Sequence, residues 1–161
     1  MKNIVLLFLL VTSQLFLAQN HKIAQLLNQQ LQKEYTEFYD EDERENFTVT
    51  KPFSIDENNI LHFGFTMINN ADGEKMSIKI EAPLDKIVSL DKDLNVYFQT
   101  LGNDVTETRI DYDKNGNTIL TKTEQTHLFI TEINREHYPN RFMKRLAKAF
   151  KKAGYDIECN Y

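Results

Sequence analysis

Hydrophobic side chains change their spacing several times along the chain. Ile4 to Val11 is an unbroken apolar run behind the single charge of Lys2, and Thr12-Ser13-Gln14 interrupts it before Leu15-Phe16-Leu17-Ala18. From His21 to Phe38 the apolar residues Ile23, Leu26, Leu27, Leu31, Tyr35 and Phe38 recur at helical spacing and form one stripe of an amphipathic helix. Asn20 is its candidate N-cap, because an Asn oxygen can accept an early backbone amide bond. Glu34 to Glu45 then holds seven acidic residues against Arg44, which predicts the helix end and a solvated loop.

The period next falls to two. Phe47, Val49, Lys51 and Phe53 alternate with polar neighbours, and Pro52 confines that stretch to an edge strand or a bulge. Leu61, Phe63, Phe65 and Met67 form a second set, and Met76, Ile78, Ile80 and Ala82 a third. Asn69-Asn70-Ala71-Asp72-Gly73 between them tolerates left-handed backbone, so these two strands are expected to pair as a hairpin. Leu94, Val96 and Phe98 predict a fourth strand, Val105 to Tyr112 a fifth, and Asn117 to Thr123 and His127 to Ile133 two more. Near Pro139 the helical period returns: Phe142, Leu146, Ala149, Phe150 and Ala153 share one stripe, with Gly154 placed to cap its end.

Consecutive strands with helices only at the two ends predict the α+β class. The expected architecture is a curved antiparallel meander of about six or seven strands, with an N-terminal and a C-terminal helix packed on one face. Residues 1–18 have the layout of a signal peptide, which leaves residues 19–161 as one domain. Cleavage near Ala18 would deliver the chain to the periplasm or outside the cell. Polar side chains interrupt the leader before it reaches the roughly 20 apolar residues of a spanning helix, so no transmembrane segment is expected in the mature chain.

The helix, curved sheet and long final helix resemble the folds of Bet v 1-like and cystatin-like proteins. At the level of fold alone, that resemblance implies that the sheet can enclose an apolar space. Phe47, Phe53, Phe63, Phe65, Tyr97, Phe98 and Phe129 are enough to fill such a space, which is the expected outcome; if some of these rings lined an open pocket instead, the ligand would be small and apolar.

Composition alone gives an ordinary globular chain: 41% hydrophobic and 27% charged residues with one Cys exclude collagen-like, disulfide-rich and low-complexity classes. Cys159 cannot form an internal bridge and reads as a thiol in a mobile tail. The charge layout says more. Residues 135–152 hold Arg135, Arg141, Lys144, Arg145, Lys148, Lys151 and Lys152 against Glu136, a local charge of +6 in a chain of net charge −5. The other 125 residues that follow Ala18 therefore carry −12. Arg141, Lys144, Arg145, Lys148, Lys151 and Lys152 are the candidate binding residues. Their helix could meet an anionic membrane or a protein partner, or could pack its apolar side on the sheet and leave the cations in water. Nucleic acid is not an expected partner, because the acidic remainder repels phosphate.

Catalytic and metal signatures are few. Asp111, Asp113 and Asn115, followed by Gly116, reproduce the opening of a calcium loop, but Lys122 stands where that loop needs a bidentate Glu. Asn115-Gly116 is also a strong hairpin signal, which favours a turn over an ion site. Tyr112 to Asn117 resembles one unit of the YD-repeat family of secreted β-solenoid proteins, whose architecture needs many tandem copies; this single copy implies no function. His21, His62, His127 and His137 lack metal-ligand spacing, and no GxSxG elbow or phosphate loop occurs. No cofactor is expected. The resulting expectation is an exported, non-catalytic binding or interaction protein for a small apolar ligand or a protein partner. The alternatives are a hydrolase built on His62 or His127 with a nearby carboxylate, and a surface binder acting through the basic helix.

Overall fold

The first helix, α1 (Lys2–Glu37), runs without a break through the start expected at His21. Leu15 to Ala18 contains no Gly or Pro, so nothing in the local sequence stops it. Asn20 is consequently inside the helix rather than capping it, and its side-chain amide donates to Asn59 Oδ1 at 2.7 Å. This computed structural model describes residues 2–37, 46–68, 73–134 and 139–160, with side chains placed for 19–37, 46–68, 73–134 and 140–160. Phe38, residues 40–45 of the acidic stretch, the turn residues 69–72, Arg135 and His137 lie outside it. Among the described residues no helix is long and apolar enough to cross a membrane.

Nine strands form two sheets among the described residues. The first contains β1 (Phe47–Ile55), β2 (Ile60–Ile68), β3 (Lys75–Pro83), β6 (Val105–Tyr112) and β7 (Thr118–Thr126), in the order β1-β2-β3-β6-β7. The second contains β4 (Ile87–Lys92), β5 (Val96–Thr100), β8 (Leu128–Ile130) and β9 (Glu158–Cys159), in the order β8-β5-β4-β9. The α+β class and the terminal helices agree with the expectation, whereas a single six- or seven-stranded meander does not. A 3-10 turn at Leu84–Lys86 leads β4 and β5 out of the first sheet, and β6 returns to pair with β3. Every pair is antiparallel except β4 with β9.

β4 was not legible as a strand because Ser89, Leu90 and Asp91 are all buried, so polarity does not alternate along it. Leu94, expected to open the next strand, is instead 78% exposed in the turn before β5. β1 is an edge strand with register shifts on both sides of Lys51, as Pro52 requires. At the second shift, Phe53 bonds to α1 rather than to the sheet: its N–H donates to Asn28 Oδ1 at 2.9 Å and its carbonyl accepts from Asn28 Nδ2 at 2.8 Å. Glu34, expected at the start of a solvated stretch, is buried and accepts from the Asn134 amide at 2.8 Å.

The second helix, α2 (Pro139–Lys152), packs on α1, β4 and β9 through Phe142, Met143, Leu146, Ala149 and Phe150. Gly154, at φ 89°, ends it in a Schellman motif. There the Tyr155 N–H donates to the Phe150 carbonyl at 3.0 Å and the Gly154 N–H to the Lys151 carbonyl at 3.2 Å.

Candidate functional site

Phe47, Phe53, Phe63, Phe65, Phe98 and Phe129 fill the core rather than lining a pocket. Phe47, Phe65, Phe63, Phe53, Phe129, Phe98, Phe150 and Tyr155 form one chain of ring contacts, with centroid separations from 4.1 to 6.5 Å. The Phe53–Phe129 step joins the two sheets. Tyr97, on the opposite side of β5 from buried Phe98, is only half-buried. An open groove of about 940 Å³ runs between α1 and β1, past Leu31, Tyr35, Val49 and Pro52, outside this interior.

Of the histidines, His62 meets carboxylates. It lies on the face of β2 opposite Phe63, with Ser54 beside it on β1 and Glu81 beside it on β3. Its Nε2 is 3.1 Å from Asp56 Oδ2, and its Nδ1 is 2.5 Å from Glu81 Oε1, outside hydrogen-bonding geometry. Asp56 also accepts the Ile60 and Asn58 amides at 2.9 and 3.0 Å. The Ile60 amide, helped by His62 and Asn58, holds the Asp56 carboxyl below its ordinary range despite some desolvation. Burial works against ionisation of Glu81, but Lys79 Nζ at 2.6 Å together with His62 outweighs it and lowers that carboxyl too.

Both ring nitrogens of His62 therefore face acids, and no hydrogen bond joins Ser54 to the ring among the described residues. Asp56 holds the ring through Nε2, while Nδ1 lies against Glu81 without a hydrogen bond. Because the acids sit at opposite nitrogens, they cannot share one metal ion with the ring. His21 and His127 are exposed, and among the described residues neither has a carboxylate partner.

Asp111 and Asp113 are engaged with different partners. Asp111 pairs with Arg109 Nε at 2.7 Å. Asp113 accepts the Asn115 and Asn117 amides, both at 2.8 Å, and the Asn117 side chain at 2.9 Å. That last bond, with the amides, lowers the Asp113 carboxyl from its ordinary range. Gly116, at φ 82°, completes the hairpin turn between β6 and β7.

Cys159 sits in β9, packed against the core, and not in a free tail. Burial first, then Asp91, pushes its thiol upward, the direction of an unreactive cysteine. Glu132 was not singled out by the sequence. It occupies the left-handed region at φ 56°, and burial, reinforced by Glu107, raises its carboxyl above the ordinary range.

The candidate binding residues do lie together. Arg141, Lys144, Arg145 and Lys148 line a shallow surface groove on α2 with Asn140, and Lys151 and Lys152 extend the exposed stripe by a turn. Among the described residues, Arg141, Arg145, Lys148, Lys151 and Lys152 have no ion-pair partner. Comparisons with family models, curated proteins and solved structures return no match.

Proposed function

We propose that this chain is an exported, non-catalytic binding protein that holds an acidic protein partner against the cationic stripe of α2. The observation that carries the reading is a row of exposed cations on α2, in a chain of net charge −5, of which Arg141, Arg145, Lys148, Lys151 and Lys152 have no ion-pair partner among the described residues. The opposite side of the helix is committed to the core through Phe142, Leu146 and Phe150, so α2 cannot sink an apolar face into a bilayer without unfolding the domain. The acidic remainder disfavours nucleic acid. The filled aromatic core supports a surface binder over a carrier of a small apolar ligand, and an acid beside each ring nitrogen of His62 supports binding over hydrolysis.

Immobilised poly-glutamate serves as a probe. The protein is expected to bind it with an affinity that falls steeply between low and high salt. Replacing Arg141, Arg145 and Lys148 together by Glu should weaken binding by about a hundredfold while leaving the far-ultraviolet spectrum unchanged. Retention of the triple variant at parental affinity, or binding indifferent to salt, would refute the proposal. Tighter binding to anionic vesicles or to DNA would replace the acidic protein with that partner. Export is tested separately by the mass of the protein isolated from its host, which should lack residues 1–18.

A further inference from the structure

Among the described residues, the fold protects three of four sheet edges and leaves the fourth open. β1 carries Pro52 and two register shifts and is packed on by α1; β8 has three residues and β9 two. β7 is different: it has nine residues, its positions 118–125 are exposed, and β6 is its one strand partner among the described residues. Alternate residues of such a strand direct backbone N–H and C=O groups away from the sheet, where they can pair with another strand.

The side chains specify which strand fits. Lys122 and Glu124 lie on one face of β7 and form an ion pair with each other. Across an antiparallel two-fold axis through Thr123, Lys122 of one chain stands opposite Glu124 of a second copy, and Glu124 opposite Lys122. The same axis sets Thr121 against Gln125 and Leu120 against Thr126, so no like charges meet. A strand that set like charges against Lys122 or Glu124 would be repelled, which is how edge charges discourage indiscriminate pairing.

We infer that β7 is a self-association edge, through which two copies of the chain join their five-stranded sheets into one continuous antiparallel sheet centred on Thr123. This inference does not rest on the α2 reading, and the triple reversal on α2 should leave the dimer intact.

Sedimentation equilibrium of the full chain over a concentration series tests it. The parent is expected to show a monomer–dimer equilibrium. Lys122→Glu places four acids around the axis and should weaken the dimer by about tenfold or more. The double exchange Lys122→Glu/Glu124→Lys restores alternating charge and should bring affinity back to near the parental value. If Lys122→Glu does not fold, judged by its far-ultraviolet spectrum, Glu124→Lys applies the same test with four cations. A parent that stays monomeric at every concentration overturns the inference. So does a dimer indifferent to the single exchanges, or one that the double exchange fails to restore.

Discussion

Phe129 has the most consequential position in the core, and its truncation tests whether the two sheets are one cooperative unit. The ring is fully buried on the three-residue strand β8, 6.5 Å from Phe53 of the first sheet and 5.9 Å from Phe98 of the second. Phe129→Ala loses the burial of an aromatic side chain and leaves a cavity, together about 3–5 kcal/mol. It also loses two ring contacts, each contributing about 0.5–1.5 kcal/mol beyond burial. Ranges for Phe→Ala already contain part of that contribution, so we expect about 4 kcal/mol. That is a large share of the roughly 5–15 kcal/mol that stabilises a typical domain. The cost would be read from guanidinium unfolding, followed in parallel by far-ultraviolet circular dichroism and tyrosine fluorescence. Phe129→Leu keeps most of the volume and should cost less, which separates shape from aromatic contact. A loss below about 1 kcal/mol in Phe129→Ala would refute the reasoning. Separate transitions for the two probes would also refute it, since one sheet would then be unfolding without the other.

Other side chains give more local tests. Asn28→Leu removes both partners of the Phe53 backbone and should cost about 2 kcal/mol, measured by denaturant melts; no loss would mean that β1 satisfies itself another way. Gly154→Ala forces a left-handed residue at φ 89° and should cost about 1–2 kcal/mol, seen as a lowered thermal midpoint. Asp56 and Glu81 are lowered in the folded state, so they stabilise the protein above the ordinary carboxylate range, and that contribution disappears as pH falls through their lowered values. Stability profiles of Asp56→Asn and Glu81→Gln should therefore fall less steeply in acid than the parental profile. Glu132 is raised, the opposite sign: its favourable contribution exists below the ordinary value and is lost as pH rises. Glu132→Gln should stabilise the protein at neutral pH and have little effect near pH 4; destabilisation at pH 7 would refute this.

What the sequence made visible follows from how each element is buried. β3 has one wetter face and alternates, β2 alternates in polarity although Gly64 and Thr66 are buried with its phenylalanines, and both helices show stripes because each buries one side. β4 is hidden because Ser89 and Asp91 are buried beside Leu90, so a binary pattern has nothing to read. β9 is too short to carry a period, and only its pairing with Ser89 and Leu90 defines it. Glu34 looked solvated among acidic neighbours, because its partner, the Asn134 amide, is a hundred residues away in sequence. The cations of α2 were legible because charge on an exposed helix face needs no tertiary contact to be recognised. Glu132 carried no such sign: its distinction is a backbone angle and a buried environment. The open edge of β7 was equally hidden, since strand order decides which strand is outermost.

The place of β9 has a consequence for the order of folding. Its parallel pairing with β4, and the docking of α2 on α1, join segments far apart in sequence. The β2–β3 and β6–β7 hairpins need only neighbouring residues and can form early, whereas the second sheet closes only when these distant segments have met. Until then the margin of β4 that β9 covers is open to any other strand, so the slowest contacts of the fold are also the ones that guard it against mispairing.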